Sequence, residues 1–123
     1  MAKMMMLAVF GLTLTACTVT QAREEALLPA MRSSWPAIEE SIVRGAEGSE
    51  GGPIIEEGIL LFQGELAKEG GPTVDLLPTW LVLKPYSEAD IAARTQAGEI
   101  GVGVAASMIE RLANFEESVT KMR

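Results

Sequence analysis

Val104-Ala105-Ala106-Ser107-Met108-Ile109-Glu110-Arg111-Leu112-Ala113-Asn114-Phe115-Glu116-Glu117-Ser118-Val119-Thr120-Lys121-Met122 places Val104, Met108, Leu112, Phe115, Val119 and Met122 at steps of 4, 4, 3, 4 and 3. That spacing gathers them on one stripe of an α-helix, flanked by Ile109. Glu117 and Lys121 pair one turn apart on the outside, and Lys121 and Arg123 suit the negative end of the helix dipole. Gly101, Ala105 and Ala106 are small enough for close helix contact near its start. Such a stripe reads mainly as core. Its near-heptad ending also suits a partner helix or a dimer.

One amphipathic helix cannot bury its own stripe, so the remaining chain must supply matching faces. Ile55, Ile59, Phe62 and Leu66, spaced 4, 3 and 4 apart, predict a helix from Pro53 to about Glu69, with Ile54 and Leu61 widening its apolar side. Gly58 and Gly64 each cost about 1 kcal/mol there relative to alanine, which makes sense if a neighbouring backbone comes close. Trp35, Ile38, Ile42 and Val43 mark another apolar side over residues 35–45, with Glu39, Glu40 and Arg44 outside and Glu40 four residues from Arg44. Ser33-Ser34-Trp35-Pro36 reads as a restart, with Ser34 as cap and Pro36 in the first turn. An earlier helix is expected from about Arg23, on Leu27, Leu28 and Met31, with Pro29 in its pattern or its first turn.

Glycine and proline punctuate the rest. Gly45 to Gly52 reads as a flexible acidic loop. Glu50-Gly51-Gly52-Pro53 recurs as Glu69-Gly70-Gly71-Pro72, ending one element and opening the next. Residues 73–86 are densely apolar, but Pro78 and Pro85 limit a helix to a few turns. A short buried helix over Thr79 to Lys84 is expected, with a short strand as the alternative. Ser87-Glu88-Ala89-Asp90 signals a new helix capped by Ser87, running to about Ala97 and ended by Gly98, with Asp90 and Arg94 paired. Its one large apolar residue, Ile91, puts it on the surface or packs it through alanines. Gly98 to Gly103 reads as extended chain or a loose first turn. These faces predict an all-α fold: a small compact bundle of about four to five helices after an N-terminal signal helix.

The N-terminal stretch is of another kind. Lys3 precedes the apolar run Met4 to Thr13, which suits the apolar region of a signal peptide and is too short to span a bilayer. Leu14-Thr15-Ala16-Cys17 follows, and Cys17 is the single cysteine. This tetrapeptide resembles the lipobox of bacterial lipoproteins, with an aliphatic residue three before the cysteine and small residues between. The resemblance covers residues 1–17 and implies cleavage between Ala16 and Cys17, a diacylglycerol on the Cys17 sulfur and an acylated amino group. More than one acyl chain gives firm membrane anchoring. Residues 1–16 would then be a removed signal, 17–22 the lipidated cysteine and a short tether, and 23–123 one acidic helical domain. Thr18, where aspartate retains such proteins at the inner membrane, points to the outer membrane facing the periplasm. The competing readings are a buried N-terminal helix with Cys17 packed as a small apolar residue, and a plain secretory signal that leaves a free thiol.

Without residues 1–16 the chain has 107 residues, enough for a modest core without disulfides, and loses Lys3 from its 10 basic residues against 17 acidic ones, a formal charge of −8. There is no basic footprint for nucleic acid and none for anionic lipid, so the membrane is a partner only through lipid on Cys17. Histidine is absent. With Cys17 lipidated, the usual zinc, copper and iron–sulfur ligands are missing, and neither metal nor cofactor is expected.

Candidate catalytic patterns are weak. Glu24-Glu25, Glu39-Glu40, Glu56-Glu57 and Glu116-Glu117 point about 100° apart on a helix, so no pair spans a cleft as glycoside hydrolysis requires. Gly98, Gly101 and Gly103 fail both phosphate-loop patterns. Ser33, Ser34, Ser87 and Ser107 lack a histidine partner. Trp35 and Trp80 read as core anchors, or else as a candidate interaction surface. The expected function is a lipid-anchored structural or protein-interaction module of the cell envelope, meeting another envelope protein. The alternative is a carrier holding a small apolar ligand between helices. An enzyme is not expected.

Overall fold

The computed structural model describes residues 26–122, which form four helices and no strand. The first, α1, covers residues 26–46. It is followed by α2 (Gly52–Ala67), α3 (Leu77–Gln96) and α4 (Val102–Lys121). The segment holding Ala16, Cys17 and the expected signal helix lies outside the described residues.

Successive helices run antiparallel. Arg32 on α1 donates to the carbonyls of Leu66 and Lys68 at the far end of α2, and Gln63 donates to Glu39 at 2.6 Å. Across α3 and α4, the Trp80 indole N–H and the Lys84 ammonium both donate to Glu116, at 3.1 and 3.0 Å. The result is a small all-α bundle, as expected from the sequence.

Each helix contributes one large aromatic ring to the centre: Trp35, Phe62, Trp80 and Phe115. Trp35 stacks on Phe62 with centroids 4.8 Å apart, and Trp80 lies 4.9 Å from Phe115. Phe62 meets Trp80 edge-on at 6.3 Å. Offset and edge-to-face pairs add about 0.5–1.5 kcal/mol beyond burial, so the four rings tie all four helices together. Around them pack Met31, Ile38 and Ile42 from α1, Ile55, Ile59 and Leu66 from α2, Leu76 and Leu83 at the start and middle of α3, and Leu112 and Val119 from α4. The stripes on Ile55, Ile59, Phe62 and Leu66 and on Leu112, Phe115 and Val119 therefore face the core as their spacing predicts. Val104, expected to open the terminal stripe, and Val43, expected on the apolar side of α1, are instead exposed, because the facing helices do not cover those ends; Ile54 and Ile109, flanking the stripes, are exposed too.

Helix boundaries near three prolines differ from expectation. No restart occurs at Ser33-Ser34; α1 is continuous through Pro36. No break occurs at Pro85; α3 runs unbroken from Leu77, and Ser87 is inside it rather than capping it. Proline removes one helical hydrogen bond and frees the carbonyl four residues earlier. Pro36 and Pro85 are both exposed, as are Arg32 and Leu81, whose carbonyls are freed, so water can satisfy them on the outer face. Burial of Leu76, Trp80, Leu83, Ser87 and Ile91 along one side of α3 then holds the helix together across the proline. After the second Glu-Gly-Gly-Pro, the chain does not enter a helix at Pro72. It stays irregular to Leu76, where Pro78 occupies the first turn of α3.

The loop between α2 and α3 is fixed by polar bonds. Buried Glu65 accepts from the Thr73 backbone N–H at 3.2 Å and its hydroxyl at 3.1 Å, and pairs with Lys68. The Lys68 hydrogen bond, aided by Thr73 and opposed by burial, holds the Glu65 carboxyl below its ordinary value. Gly71 turns with φ of 93° beneath Leu28 and Met122, a conformation that L side chains rarely adopt, and a Cβ there would press on both side chains at 3.2–3.3 Å.

Helices α1 and α3 cross very closely. A Cβ at Gly45 would sit 1.7 Å from the Tyr86 carbonyl oxygen. One turn earlier, the buried Ser41 hydroxyl donates to Asp90 at 2.8 Å and accepts from the Ser87 hydroxyl at 2.8 Å. Residues 45 and 46 are thus helix rather than acidic loop, and the second half of α3 is packed through Ser87, Asp90 and Ile91 rather than lying on the surface.

Candidate functional site

The outer side of α2 carries a cluster of exposed apolar residues. Ile55, Ile59, Phe62 and Leu66 turn inward, yet Ile54 (64% exposed), Leu60 (59%) and Leu61 point outward. Glu56, Glu57 and Gln63 share that outer side, so exposed apolar and polar residues alternate along it. The local sequence explains it: Ile54-Ile55 and Ile59-Leu60-Leu61-Phe62 are apolar runs, and consecutive residues 100° apart cannot all face one core.

Two open hollows flank this ridge. One, of about 420 Å³, lies between α1 and α2, with Val43, Ala46, Ile55, Ile59 and Leu60 among its lining. The other, of about 490 Å³, lies between α2 and α3, with Ile54, Leu60, Leu61, Thr79 and Val82 among its lining. Leu60 lines both, so the apolar surface is continuous over α2 from Val43 to Val82. The volumes match those of small-ligand clefts.

The depth of the second hollow depends on a glycine. Gly58 is buried on α2, and a Cβ there would meet Leu83 Cδ2 at 3.1 Å and Thr79 Cγ2 at 3.2 Å. Its missing side chain lets α3 approach and leaves Leu83 at the floor of the hollow. Gly64 has nothing within 4 Å, so the close approach expected at both glycines occurs at Gly58 alone.

Charge around the hollows has one sign. Glu39, Glu47 and Glu56 border the first and Glu57 the second, and among the described residues no lysine or arginine lines either. The described basic residues are engaged elsewhere in several cases: Arg44 with Glu40 at 2.8 Å, Lys84 with Glu116, and Lys121 with Glu117 at 2.8 Å. Arg94 lies 3.8 Å from Asp90. The three expected pairs one turn apart are thus all present. The Lys121 hydrogen bond also holds the Glu117 carboxyl below its ordinary value.

The tryptophans do not contribute to this surface. Trp35 is 6% exposed and Trp80 0%, and both rings lie in the aromatic centre, so neither forms an interaction surface in this fold. Glu116 is not a solvated outer residue; it joins α3 to α4 through Trp80 and Lys84. Ser87 is locked to Ser41, and Ser107 donates to the Gly103 carbonyl. Gly98 ends α3 with φ of 74°, and Gly101 precedes α4 in extended conformation.

The outward apolar residues were legible only in part. Ile54 and Leu61 stand out as a widened stripe, whereas Leu60 becomes conspicuous only when α2 is seen to have helices on two sides. Among the described residues no group of His, Cys, Asp and Glu is arranged to hold a metal, and no helix is long and apolar enough to cross a membrane. Compared with protein-family models, with curated proteins and with solved structures, the chain matches none of them.

Proposed function

We propose that this protein is a membrane-anchored bacterial lipoprotein whose helical domain acts as a structural or protein-interaction module of the cell envelope. The observation that carries the interaction role is the apolar ridge of α2, with Ile54, Leu60 and Leu61 exposed between two hollows. Exposing such a ridge forgoes stabilisation of roughly 25 cal/mol per Å², which a partner would recover by covering it. The anchoring role rests on Leu14-Thr15-Ala16-Cys17 and the apolar run before it. Lipid on Cys17 would hold the domain at the outer membrane, facing the periplasm, and concentrate it near partners that share that surface.

The alternative, a carrier of a small apolar ligand, is favoured by the hollow volumes of about 420 and 490 Å³. Against it, the space between the helices at the bundle centre is filled by four aromatic rings, and the hollows lie at the surface.

Metabolic labelling with a palmitate analogue tests the anchor. The wild-type chain takes up label and fractionates with membranes, and Cys17→Ala abolishes both the label and processing at that bond. An unchanged mature mass with membrane association retained in Cys17→Ala overturns the anchor. For the module, a photoreactive side chain at position 60 should give one discrete crosslinked envelope protein. Diffuse capture counts against it, and ligand retained in native mass spectrometry favours the carrier.

A further inference from the structure

We infer that the α2 ridge is the docking site for a cationic amphipathic helix of a partner protein. This rests on the reading of the domain as an interaction module and adds the chemistry of the partner. Two features of the surface select that occupant. The first is shape: two apolar hollows on either side of α2 share Leu60, so the apolar face of an incoming amphipathic helix could cover both. The second is charge. Glu39, Glu47, Glu56 and Glu57 lie beside the apolar side chains, and among the described residues no basic one lines the hollows. Lysines and arginines flanking the apolar face of an incoming helix would meet those carboxylates, while their aliphatic stems cover Val43, Ile54 and Val82.

The same charges argue against two other occupants. A second copy of the chain would bring a matching set of glutamates against the first, and like charges across an interface cost several kcal/mol. An anionic lipid surface would be repelled. A neutral ligand would fill one hollow and leave the Leu60 ridge between them uncovered.

The probe is a fluorescent 18-residue helix of leucine and lysine, with leucine on one face. The control carries glutamate in place of every lysine. Each is titrated against the full chain in phosphatidylcholine nanodiscs, with empty nanodiscs subtracted. The lysine peptide should bind saturably at one site and the glutamate peptide should not. Leu60→Glu should weaken binding about tenfold, the loss of one central apolar anchor. Glu56→Lys with Glu57→Lys should weaken it similarly. Raising salt from about 0.1 to about 1 M, which cuts the Debye length from about 10 to about 3 Å, should weaken wild-type binding more than that of the charge variant. Circular dichroism of each variant verifies folding; all three positions are exposed. Equal binding of both peptides, or wild-type affinity in Leu60→Glu, overturns the inference. So does a dimer dissolved by Leu60→Glu, which would make a second copy the occupant, or an intramolecular crosslink from position 60 to residues 1–25, which would make it the chain itself. Failure of lipid labelling at Cys17 would leave peptide binding unaffected, so the two readings fail separately.

Discussion

Gly45→Ala should destabilise the bundle by about 2–4 kcal/mol, although alanine is the better helix former. Gly45 lies in α1, and an exposed helical glycine replaced by alanine gains about 0.5–1 kcal/mol. Here the added Cβ would stand 1.7 Å from the Tyr86 carbonyl oxygen. That oxygen is backbone in the middle of α3 and cannot rotate away, so α1 and α3 must separate by roughly 1.7 Å to restore ordinary contact. Such a separation stretches the Ser41–Asp90 and Ser87–Ser41 bonds, both 2.8 Å, beyond hydrogen-bonding reach. Overpacking costs about 1–3 kcal/mol, and each buried group left without its partner about 1–3 kcal/mol more. Partial relaxation and the propensity gain reduce that total to the range stated. Gly64→Ala is the matched comparison: it lies exposed in α2 with nothing within 4 Å of its Cβ position, and should stabilise by about 0.5–1 kcal/mol. Urea unfolding followed by circular dichroism and tryptophan fluorescence gives both values. A Gly45→Ala variant as stable as wild type, with an unchanged denaturant slope, would refute the close crossing of α1 and α3.

Phe62→Ala removes the ring that touches Trp35, Trp80 and Phe115, and should cost about 3–5 kcal/mol with a red shift of tryptophan emission; a loss below about 1 kcal/mol in urea unfolding would mean that the four rings are not packed together. Glu65 has a folded-state pKa lowered chiefly by Lys68, so its contribution is complete above its ordinary value of 4.5 and is lost as pH falls through the lower folded value. Glu65→Gln should therefore flatten part of the stability loss below pH 4.5, read as urea midpoints from pH 3 to 6; an identical acid profile in the variant would remove Glu65 from the account.

The inward stripes were legible because burial acts on apolar side chains, and helical spacing records where they must point. Ile55, Ile59, Phe62 and Leu66 needed no more than their spacing. The second half of α3 was harder for the opposite reason. Its buried positions are Ser87, Asp90 and Ile91, and only a partner, Ser41 on another helix, makes burial of the first two tolerable. The candidate site was less legible still. Ile54, Leu60 and Leu61 are as apolar as their buried neighbours, so composition cannot say which of them lack a covering helix.

Legible from the residues alone were the helical class, the punctuation by glycine and proline, the acidic balance and the lipobox-like Leu14-Thr15-Ala16-Cys17. Those follow from short-range chemistry, in which each residue acts with neighbours a few positions away. Tertiary structure alone decided that Pro36 and Pro85 would be bridged, that Gly45 and not Gly64 would mark a close crossing, and that both tryptophans would be core. Each of those depends on what another helix places opposite the residue. The same dependence leaves α2 with exposed apolar residues: its core side is satisfied within the bundle, and its outer side faces no other helix among the described residues.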